Sequence, residues 1–481
     1  MAVVMCAVFA TAAYAKGDVM SDAFKEARRI EKQIRTTSFR SQDFNILDFG
    51  AVADRPDQPC HEAVNRAIVQ CSLAGGGRVV VPAGTFYVGP ITMKSNVNLY
   101  LAEGASLRFV ENKELYLPQV LTRWEGVDCY NYHPLIYAYG ETNIAITGKG
   151  TIDGQASNTN WWNMNGSTRY GWTPGQVSQS QGGRSKLLAF GENKTPVSER
   201  IMGPQDALRA QLIHFNSCNT VLIEGVQLRN SPFWVIHPLL CENLIVRGVR
   251  IECHGPNGDG CDPESCRNVL IENCYFDTGD DCIAIKSGRN NDGRRWNVPS
   301  ENIIVRNCEM KDGHGGVVIG SEISGGFRNL FVENCVMDSP NLERVIRIKT
   351  NTCRGGIIEN IFVRDITVGQ CKEAVLKINL LYESNENCQR DFPPTVRNVH
   401  MQRVTSQQSR YGVLIAGLDK TDDYNVYDIS VEDSSFDQVE RGNSVAGATR
   451  VVFKNLLING SPADTAEGRG AAVLNNWGEA Q

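Results

Sequence analysis

The chain has 481 residues, a formal charge of −6 at pH 7 and a sequence pI near 5.8. It therefore lacks the basic footprint of a nucleic-acid-binding protein, which argues against nucleic acid as its main partner. At this length about three domains would be usual, but a repetitive chain can grow as one long unit.

Residues 1–15 have the pattern of a cleaved export signal, because an apolar run ends in Ala13-Tyr14-Ala15, small residues that suit cleavage. The run lacks the usual preceding Lys or Arg, which indicates a trimmed or misassigned start. No other run approaches the ~20 apolar residues that span a bilayer. We therefore expect a secreted or periplasmic protein without a membrane segment.

Two amphipathic helices are predicted near the N-terminus, over residues 21–36 and 61–72. Either could cover the first coil of a solenoid, whose ends need caps. The predicted organisation is a signal peptide (1–15), an N-terminal helical segment (16–43) and one domain (44–481).

A repeated unit occupies most of that domain: an asparagine, alternating β-branched residues, a polar turn and a second short apolar strand. The units open at Asn143, Asn219, Asn243, Asn268, Asn302, Asn329, Asn360 and Asn398, with a degenerate one near Asp428. Spacings of about 24 to 38 residues between most successive units are typical of solenoids. Because no helical pattern intervenes, we predict an all-β fold, a parallel β-helix with a capping helix.

The chain has sixteen cysteines, and the fifteen that follow Cys6 are an odd number. Cys274, Cys308 and Cys335 each lie six residues after a repeat-opening asparagine, so we expect them to stack in a column as buried thiols. No zinc-type C-x-x-C pair is present. Whether any cysteines pair is left open.

Residues 155–209 interrupt the repeats and contain Trp161, Trp162 and Trp172. An irregular stretch of this length is usually functional or disordered. Two interpretations remain open: a lid that stacks on sugars, or tryptophans packed on the outside of the coil.

Three aspartates and a histidine converge on neighbouring turns. Alignment of the repeats places Asp280 and His314 at equivalent positions of adjacent coils, about 4.8 Å apart. Asp281 is adjacent to Asp280 in the chain, and Asp259 lies one coil earlier. Clustered carboxylates repel unless one holds a proton or all face water and a ligand, which suits a site with one acid and one base.

Two cations follow one repeat later. Arg347 and Lys349 alternate along a strand, so both project to one face. Carboxylates beside cations suit hydrolysis within an acidic sugar polymer, because the cations can hold a substrate carboxylate. Taken singly, Asp turns, a Gly-His-Gly turn and alternating cations are commonly structural. Their coincidence on consecutive turns favours a functional site.

In this order, the motifs Asn257-Gly258-Asp259, Gly279-Asp280-Asp281, Gly313-His314-Gly315 and Arg347-Ile348-Lys349 resemble those of the polygalacturonase family, glycoside hydrolase family 28. Residues 48–51 and 75–84 are similar to the N-terminal region of pectin-degrading β-helix proteins. The likeness covers residues 44–383. One departure is Gly258, where the family more often has threonine.

The resemblance implies a right-handed parallel β-helix and inverting hydrolysis of α-1,4-galacturonic acid linkages, with no metal or cofactor. By position, Asp280 is the general acid, Asp259 and Asp281 activate the water, and His314 assists. Inversion needs room for that water, so carboxyl groups about 6.5–9.5 Å apart are expected.

For substrate binding, the resemblance assigns Arg347 and Lys349 to a galacturonate carboxylate. Asn257 and Arg289 are further candidates. Asp262 is interpreted as structural, since it falls three residues from Asp259. The catalytic domain is then residues 44–481, its partner an acidic polysaccharide, and the expected oligomeric state a monomer.

Exo action is favoured, because the 155–209 insert and the loop at residues 289–299 could wall off one end of the groove. The alternatives are endo action and a decorated or rhamnose-containing pectin substrate. A calcium-dependent pectate lyase would need Ca²⁺ between carboxylates and substrate. A non-catalytic carbohydrate-binding β-helix would need no paired aspartates.

Overall fold

The computed structural model describes residues 18–418 and 424–463, so the predicted signal peptide lies outside the described residues. The described chain winds into a parallel β-helix. One sheet contains 22 strands, a second face is formed by groups of four and six strands, and two strands form a separate hairpin. This confirms the predicted all-β solenoid.

The strands are β1 (Asp43–Asn45), β2 (Gly77–Val81), β3 (Gly84–Val88), β4 (Ile91–Thr92), β5 (Val97–Leu101), β6 (Ala105–Phe109), β7 (Val120–Trp124), β8 (Val127–Asn131), β9 (Ile136–Tyr139), β10 (Thr142–Gly148), β11 (Thr151–Asp153), β12 (Ile213–Asn216), β13 (Asn219–Glu224), β14 (Gln227–Arg229), β15 (Ile236–Leu239), β16 (Glu242–Arg247), β17 (Arg250–Cys253), β18 (Arg267–Glu272), β19 (Tyr275–Thr278), β20 (Ile283–Ile285), β21 (Ser300–Arg306), β22 (Glu309–Met310), β23 (Val317–Gly320), β24 (Phe327–Glu333), β25 (Val336–Met337), β26 (Arg344–Lys349), β27 (Ile357–Gln370), β28 (Ala374–Asn379), β29 (Thr395–Gln408), β30 (Tyr411–Ala416), β31 (Val426–Phe436), β32 (Ser444–Ala446), β33 (Ala448–Ile458) and β34 (Ser461–Pro462). The α-helices are α1 (Val19–Glu31), α2 (His61–Leu73), α3 (Gly183–Glu192) and α4 (Asn290–Trp296).

Inward-facing aliphatic side chains of successive coils stack in register and form the core. One such column is Val221, Leu244, Val269, Ile303, Leu330, Ile361 and Val399, each paired with the next. All seven side chains are buried. Because each coil supplies the pairing partner of the next, the parallel strands need no helical crossovers.

The repeat-opening asparagines form a ladder at one corner of the coil. Asn143, Asn243, Asn268, Asn302, Asn329, Asn360 and Asn398 all have φ between 56° and 67°, a conformation that asparagine tolerates. From Asn302 onward, each side chain donates to the asparagine of the coil before, over 2.6–3.0 Å. In the coil that begins at Asn219, the equivalent positive-φ position is occupied by the next residue, Thr220.

Thirteen of the described cysteines are free and buried, including Cys274, Cys308 and Cys335. This agrees with the predicted column of thiols. Cys353 and Cys388 form a disulfide, which answers the question that the sequence leaves open. The bond joins the loop after β26 to the loop after β28.

The two N-terminal helices have different roles. α2 packs against β1, β2, β4 and β5 and caps the first coil, as predicted for one of the two. α1 lies instead on the flank of the solenoid. Its buried face, with Met20, Phe24 and Ile30, packs against a column from Ile245 to Phe362 on five successive coils. Of the two candidate caps, α2 is therefore the cap, and α1 covers the flank with its apolar face.

Two elements outside the regular coils meet above the second face. The β7–β8 hairpin is antiparallel. The insert that precedes β12 folds as short 3-10 turns and α3, and α3 packs against β8 and α4. They form a roof that covers the coils before Asp259 and extends to the loop after β20, where Arg289 N donates to Gly126 O over 3.0 Å.

In the described part of the chain, no helix combines the length and apolar character that crossing a membrane requires.

Candidate active site

A cavity of about 460 Å³ opens on the outward face of the coils at the edge of this roof. It is lined by Glu125, Asn165, Gln179, Arg184, Trp234, Asn257, Asp259, Asp280, Lys286, His314, Ser321, Glu322, Glu343, Arg344, Arg347, Lys349, Tyr382 and Glu383. The sequence-predicted Asp259, Asp280, His314, Arg347 and Lys349 thus meet at one cavity, with Asp281 buried directly beneath.

Asp280 and His314 form a hydrogen-bonded pair on adjacent coils, with Nδ1 3.0 Å from Oδ1. Their main chains also meet, since His314 N donates to Asp280 O over 3.1 Å. Burial alone would raise the pKa of Asp280, but the hydrogen bond and charge of His314 outweigh it and hold that pKa below its usual range. The same bond raises the pKa of His314 to about 9. At neutral pH this pair therefore carries one proton, on the imidazole.

Asp281 is fully buried and faces both predicted substrate-binding cations. Lys349 Nζ lies 2.7 Å from Asp281 Oδ2, and Arg347 Nη1 lies 3.6 Å from Asp281 Oδ1. Burial opposes the charge of Lys349, but Asp281 outweighs it and raises the pKa of the ammonium group. Arg347 and Lys349 share a face because they alternate along β26, as the sequence indicates.

Asp259, which lines the cavity, and Asp262 are neighbours in the same buried cluster. They are 3% and 0% exposed, and each has a carboxylate oxygen 3.9 Å from Lys286 Nζ. Burial and the neighbouring carboxylates raise the pKa of Asp259. Asp262, interpreted from the sequence as structural, is therefore part of the same charge cluster.

Asp259, Asp280 and Asp281 bring their carboxylates together, with one oxygen from each within 4.8 Å of the others. This is a distance between nearest oxygens, whereas the about 6.5–9.5 Å of inverting enzymes separates whole carboxyl groups. Three oxygens at this spacing could also hold a cation, as could His254 with Asp277 and Asp312.

Asn257 adopts a left-handed conformation, with φ of 53°, and lines the cavity. Its Oδ1 accepts a 2.7 Å hydrogen bond from Arg209, which is fully buried. Burial lowers the pKa of Arg209 to about 10. The side-chain carbonyl of Asn257 is thereby held in place, while its side-chain amide nitrogen donates no hydrogen bond to the part of the chain that the structure describes.

Arg289 lies behind the cavity wall and is 2% exposed. Its guanidinium is within 3.4 Å of four carboxylates, those of Glu125, Glu322, Glu383 and Glu386. These contacts tie the hairpin turn to the loop after β28. The proposed direct contact of Arg289 with substrate stays a prediction.

The insert contributes to the cavity, but not through its tryptophans. Trp161 is buried against Tyr116 and Tyr132, and Trp162 donates to Ser231 O over 2.9 Å. Neither these two nor Trp172 lines the cavity, which favours the packing interpretation. Asn165, Gln179 and Arg184 are the insert residues in the wall.

Several lining residues had no role in the sequence analysis. Tyr382 lies with its ring 5.5 Å from the Arg347 guanidinium and 5.4 Å from Lys349 Nζ. Glu125 comes from the β7–β8 turn and Glu322 from the loop after β23. Lys286 is another of these residues, and strand alternation could have found it. Ile285 pairs with Ile319, and Ile319 pairs with Ile348. The next residue along, Lys286, therefore projects outward in the same column as Lys349.

Comparisons with known proteins identify a matching family and several relatives. The model of the family described as Glycosyl hydrolases family 28 matches residues 204–455. A probable polygalacturonase of Vitis vinifera is 30% identical over 349 residues, 70% of this chain and 63% of that protein. An exo-poly-alpha-D-galacturonosidase of Dickeya chrysanthemi is 28% identical over 404 residues, 77% of this chain and 64% of that protein. The chain thus spans a little under two thirds of these two relatives.

Among solved structures, a hyperthermoactive exopolygalacturonase from Thermotoga maritima is 43% identical, with a TM-score of 0.87. The match covers 92% of this chain and 99% of that one. A family 28 exopolygalacturonase from Yersinia enterocolitica, at 24% identity and a TM-score of 0.62, shares the fold.

Proposed function

Because the chain belongs to glycosyl hydrolases family 28, we propose that it hydrolyses α-1,4 linkages of polygalacturonate, removing galacturonic acid from a chain end. The observation that carries the proposal is the cavity itself, where three aspartates meet Arg347 and Lys349. Reducing-sugar release from polygalacturonate tests it, and binding without turnover would favour the non-catalytic alternative.

The leaving oxygen takes its proton from the Asp280–His314 pair. In the free enzyme the proton rests on His314 and Asp280 is ionised. Transfer along the 3.0 Å hydrogen bond places the proton on Asp280, which donates it to the glycosidic oxygen as the bond breaks. His314 then acts through Asp280.

Water on the opposite side is activated by Asp259 with Asp281. The water proton passes to Asp259, and the hydroxide forms a bond to the anomeric carbon, with inversion. Although the carboxylates are close, retention would need one of them to attack the sugar. Asp281 is fully buried and held by two cations, so it is badly placed as a nucleophile. The anomer of the first product, read by NMR, distinguishes the two outcomes.

Arg347 and Lys349 bind the carboxylate of a galacturonate beside the scissile bond. Arg offers a planar fork and Lys a compact charge, which together suit one carboxylate. The ring of Tyr382 lies against both cations and limits their movement.

Exo action is supported by the β7–β8 hairpin, whose strands contact the coils that precede Asp259 and whose turn reaches the main chain of Arg289 beyond it. Leu121 O accepts a 2.7 Å hydrogen bond from Tyr137, and Arg123 O accepts one of 3.0 Å from Gln211. Arg123 also contacts Glu264 at 3.3 Å. A polymer bound along the coils would collide with this hairpin, so the groove is closed at that end. The similarity to exo-acting relatives also supports exo action.

Sizing of early digestion products separates the two modes. Monomer at the first time points supports exo action, whereas a ladder of oligomers supports endo action. A parallel digestion of rhamnose-containing pectin tests the decorated substrate. The comparisons do not favour a calcium-dependent lyase, whose products would absorb in the ultraviolet.

We also propose that the protein acts as a monomer outside the cytoplasm, on cell-wall pectin. The support is the sequence pattern of residues 1–15 together with the polymeric substrate. N-terminal sequencing of exported protein and a sedimentation measurement test these two points.

A further inference from the structure

Asp259 and Asp262 are two buried carboxylates with few partners. Within residues 18–418 and 424–463, Asp259 Oδ1 and both carboxylate oxygens of Asp262 accept no hydrogen bond. Buried carboxylates are normally hydrogen-bonded or paired, because removing an unpaired charge from water is costly. Their arrangement therefore requires a compensating cation, a proton, or both.

Lys286 is the cation beside them. Its Nζ lies 3.9 Å from Asp259 Oδ2 and 3.9 Å from Asp262 Oδ2, but 3.2 Å from Glu322 Oε2. It is also 4.5 Å from the Trp234 ring. The ammonium is 3% exposed. One charge is thus shared among three carboxylates, and its shortest contact is with Glu322.

Around Asp259 and Asp262, negatively charged groups outnumber the positively charged ones. Asp280 and Asp281 raise the pKa of Asp259 further, while the charge of Arg209 also acts on Asp259. Those two aspartates already have their own partners in His314 and Lys349. Two adjacent carboxyl groups in such a site release their protons in separate steps.

We propose that Asp259 and Asp262 hold one proton between them, and that Lys286 is the positioning residue that keeps the pair from taking a second. When the proton is on Asp262, Asp259 is ionised and can accept the proton of the attacking water. This inference rests on the proposed hydrolysis, in which Asp259 is a base. Burial raises the pKa of both aspartates and Lys286 lowers it, in agreement with this division.

Infrared spectra test the shared proton without any substrate. The wild-type protein at neutral pH should show the carbonyl stretch of a buried protonated carboxyl group, and D259N and D262N should each lose it in difference spectra. Survival of the band in D262N would place the proton on Asp259 alone. A wild-type spectrum without the band would mean that both groups are ionised. Either result overturns the proposal.

Two variants that break the same 3.2 Å contact test Lys286. K286M removes the positive charge, so the acid limb of the kcat/KM profile should move to higher pH, by about 1 to 3 units. E322Q removes a negative charge, so the limb should move to lower pH. K286R keeps the charge and should keep the limb in place, whatever its kcat. Loss of a purely structural contact would not produce opposite shifts.

The outcomes remain separable from the failure of the hydrolase proposal. If wild type releases no sugar, the infrared titration of the pair in K286M and E322Q still reports the same opposite shifts. If K286M raises KM for polygalacturonate and leaves the acid limb unmoved, Lys286 binds substrate and the positioning role is wrong. Circular dichroism of each variant shows whether the coil is retained.

Discussion

Lys349 and Asp281 form a buried ion pair across three coils, with Nζ 2.7 Å from Oδ2, at the place where a substrate carboxylate would bind. The cation assigned to substrate therefore already faces a protein carboxylate. A galacturonate that enters must share Lys349 and Arg347 with Asp281, so binding and the environment of the base are linked.

K349M should lower kcat/KM by about 10²-fold or more, because it removes a substrate contact and the shorter of two ion pairs that hold Asp281. K349R keeps the charge and should retain more activity than K349M. Initial rates on polygalacturonate over a range of concentrations give kcat and KM separately. A K349M enzyme within tenfold of wild type would contradict this role.

D280N should reduce kcat by about 10²- to 10⁴-fold, since the leaving oxygen then departs without a proton donor. The substitution is isosteric and still offers His314 a hydrogen-bond acceptor, so the coil should fold normally. Reducing-sugar assays with circular dichroism as the control check both statements. Wild-type turnover by D280N would assign the acid elsewhere.

The His314–Asp280 bond should make stability depend on pH. The pKa of His314 is raised from 6.5 to about 9 in the folded chain. A raised pKa means that the bond stabilises fully below about pH 6.5, and that this contribution is lost as the pH rises through about 9. Denaturant unfolding of wild type and H314Q should show the largest difference near pH 6 and a smaller one near pH 10. A difference that does not vary with pH would contradict the pairing.

F24A should destabilise the protein by about 3–5 kcal/mol, because Phe24 is 1% exposed and its ring meets Phe331 edge-on, with centroids 6.0 Å apart. The flank that α1 covers is not part of the cavity, so kcat and KM below the melting temperature should stay near wild type. Calorimetry measures the first effect. L73A, at a side chain that is 76% exposed, is a matched control.

The repeats and the central residues could be predicted because their signals are local. The asparagine that opens most coils fixes the register, and a fixed register places Asp280 beside His314 without any knowledge of the loops. Arg347 and Lys349 followed from alternation along one strand. These inferences need only the period of the chain.

The roof could not be predicted in the same way. Glu125 reaches the cavity because Trp124 stacks on Phe233, 4.8 Å away, and such packing joins residues far apart in the chain. Asp262 shows the same limit, because its position three residues after Asp259 does not reveal that both carboxylates reach the ammonium group of Lys286. Charge networks among loops are properties of the folded coil.

The position of helix α1 affects how the β-helix unfolds. A solenoid stabilised by neighbour contacts alone can fray from either end, one coil after another. The apolar face of α1 packs against five successive coils. Glu31, at the end of this helix, also forms an ion pair with Arg306, whose Nη2 lies 2.6 Å from Glu31 Oε1. The middle of the molecule, which carries the catalytic turns, should therefore melt as a single cooperative block, with fraying confined to the outer coils.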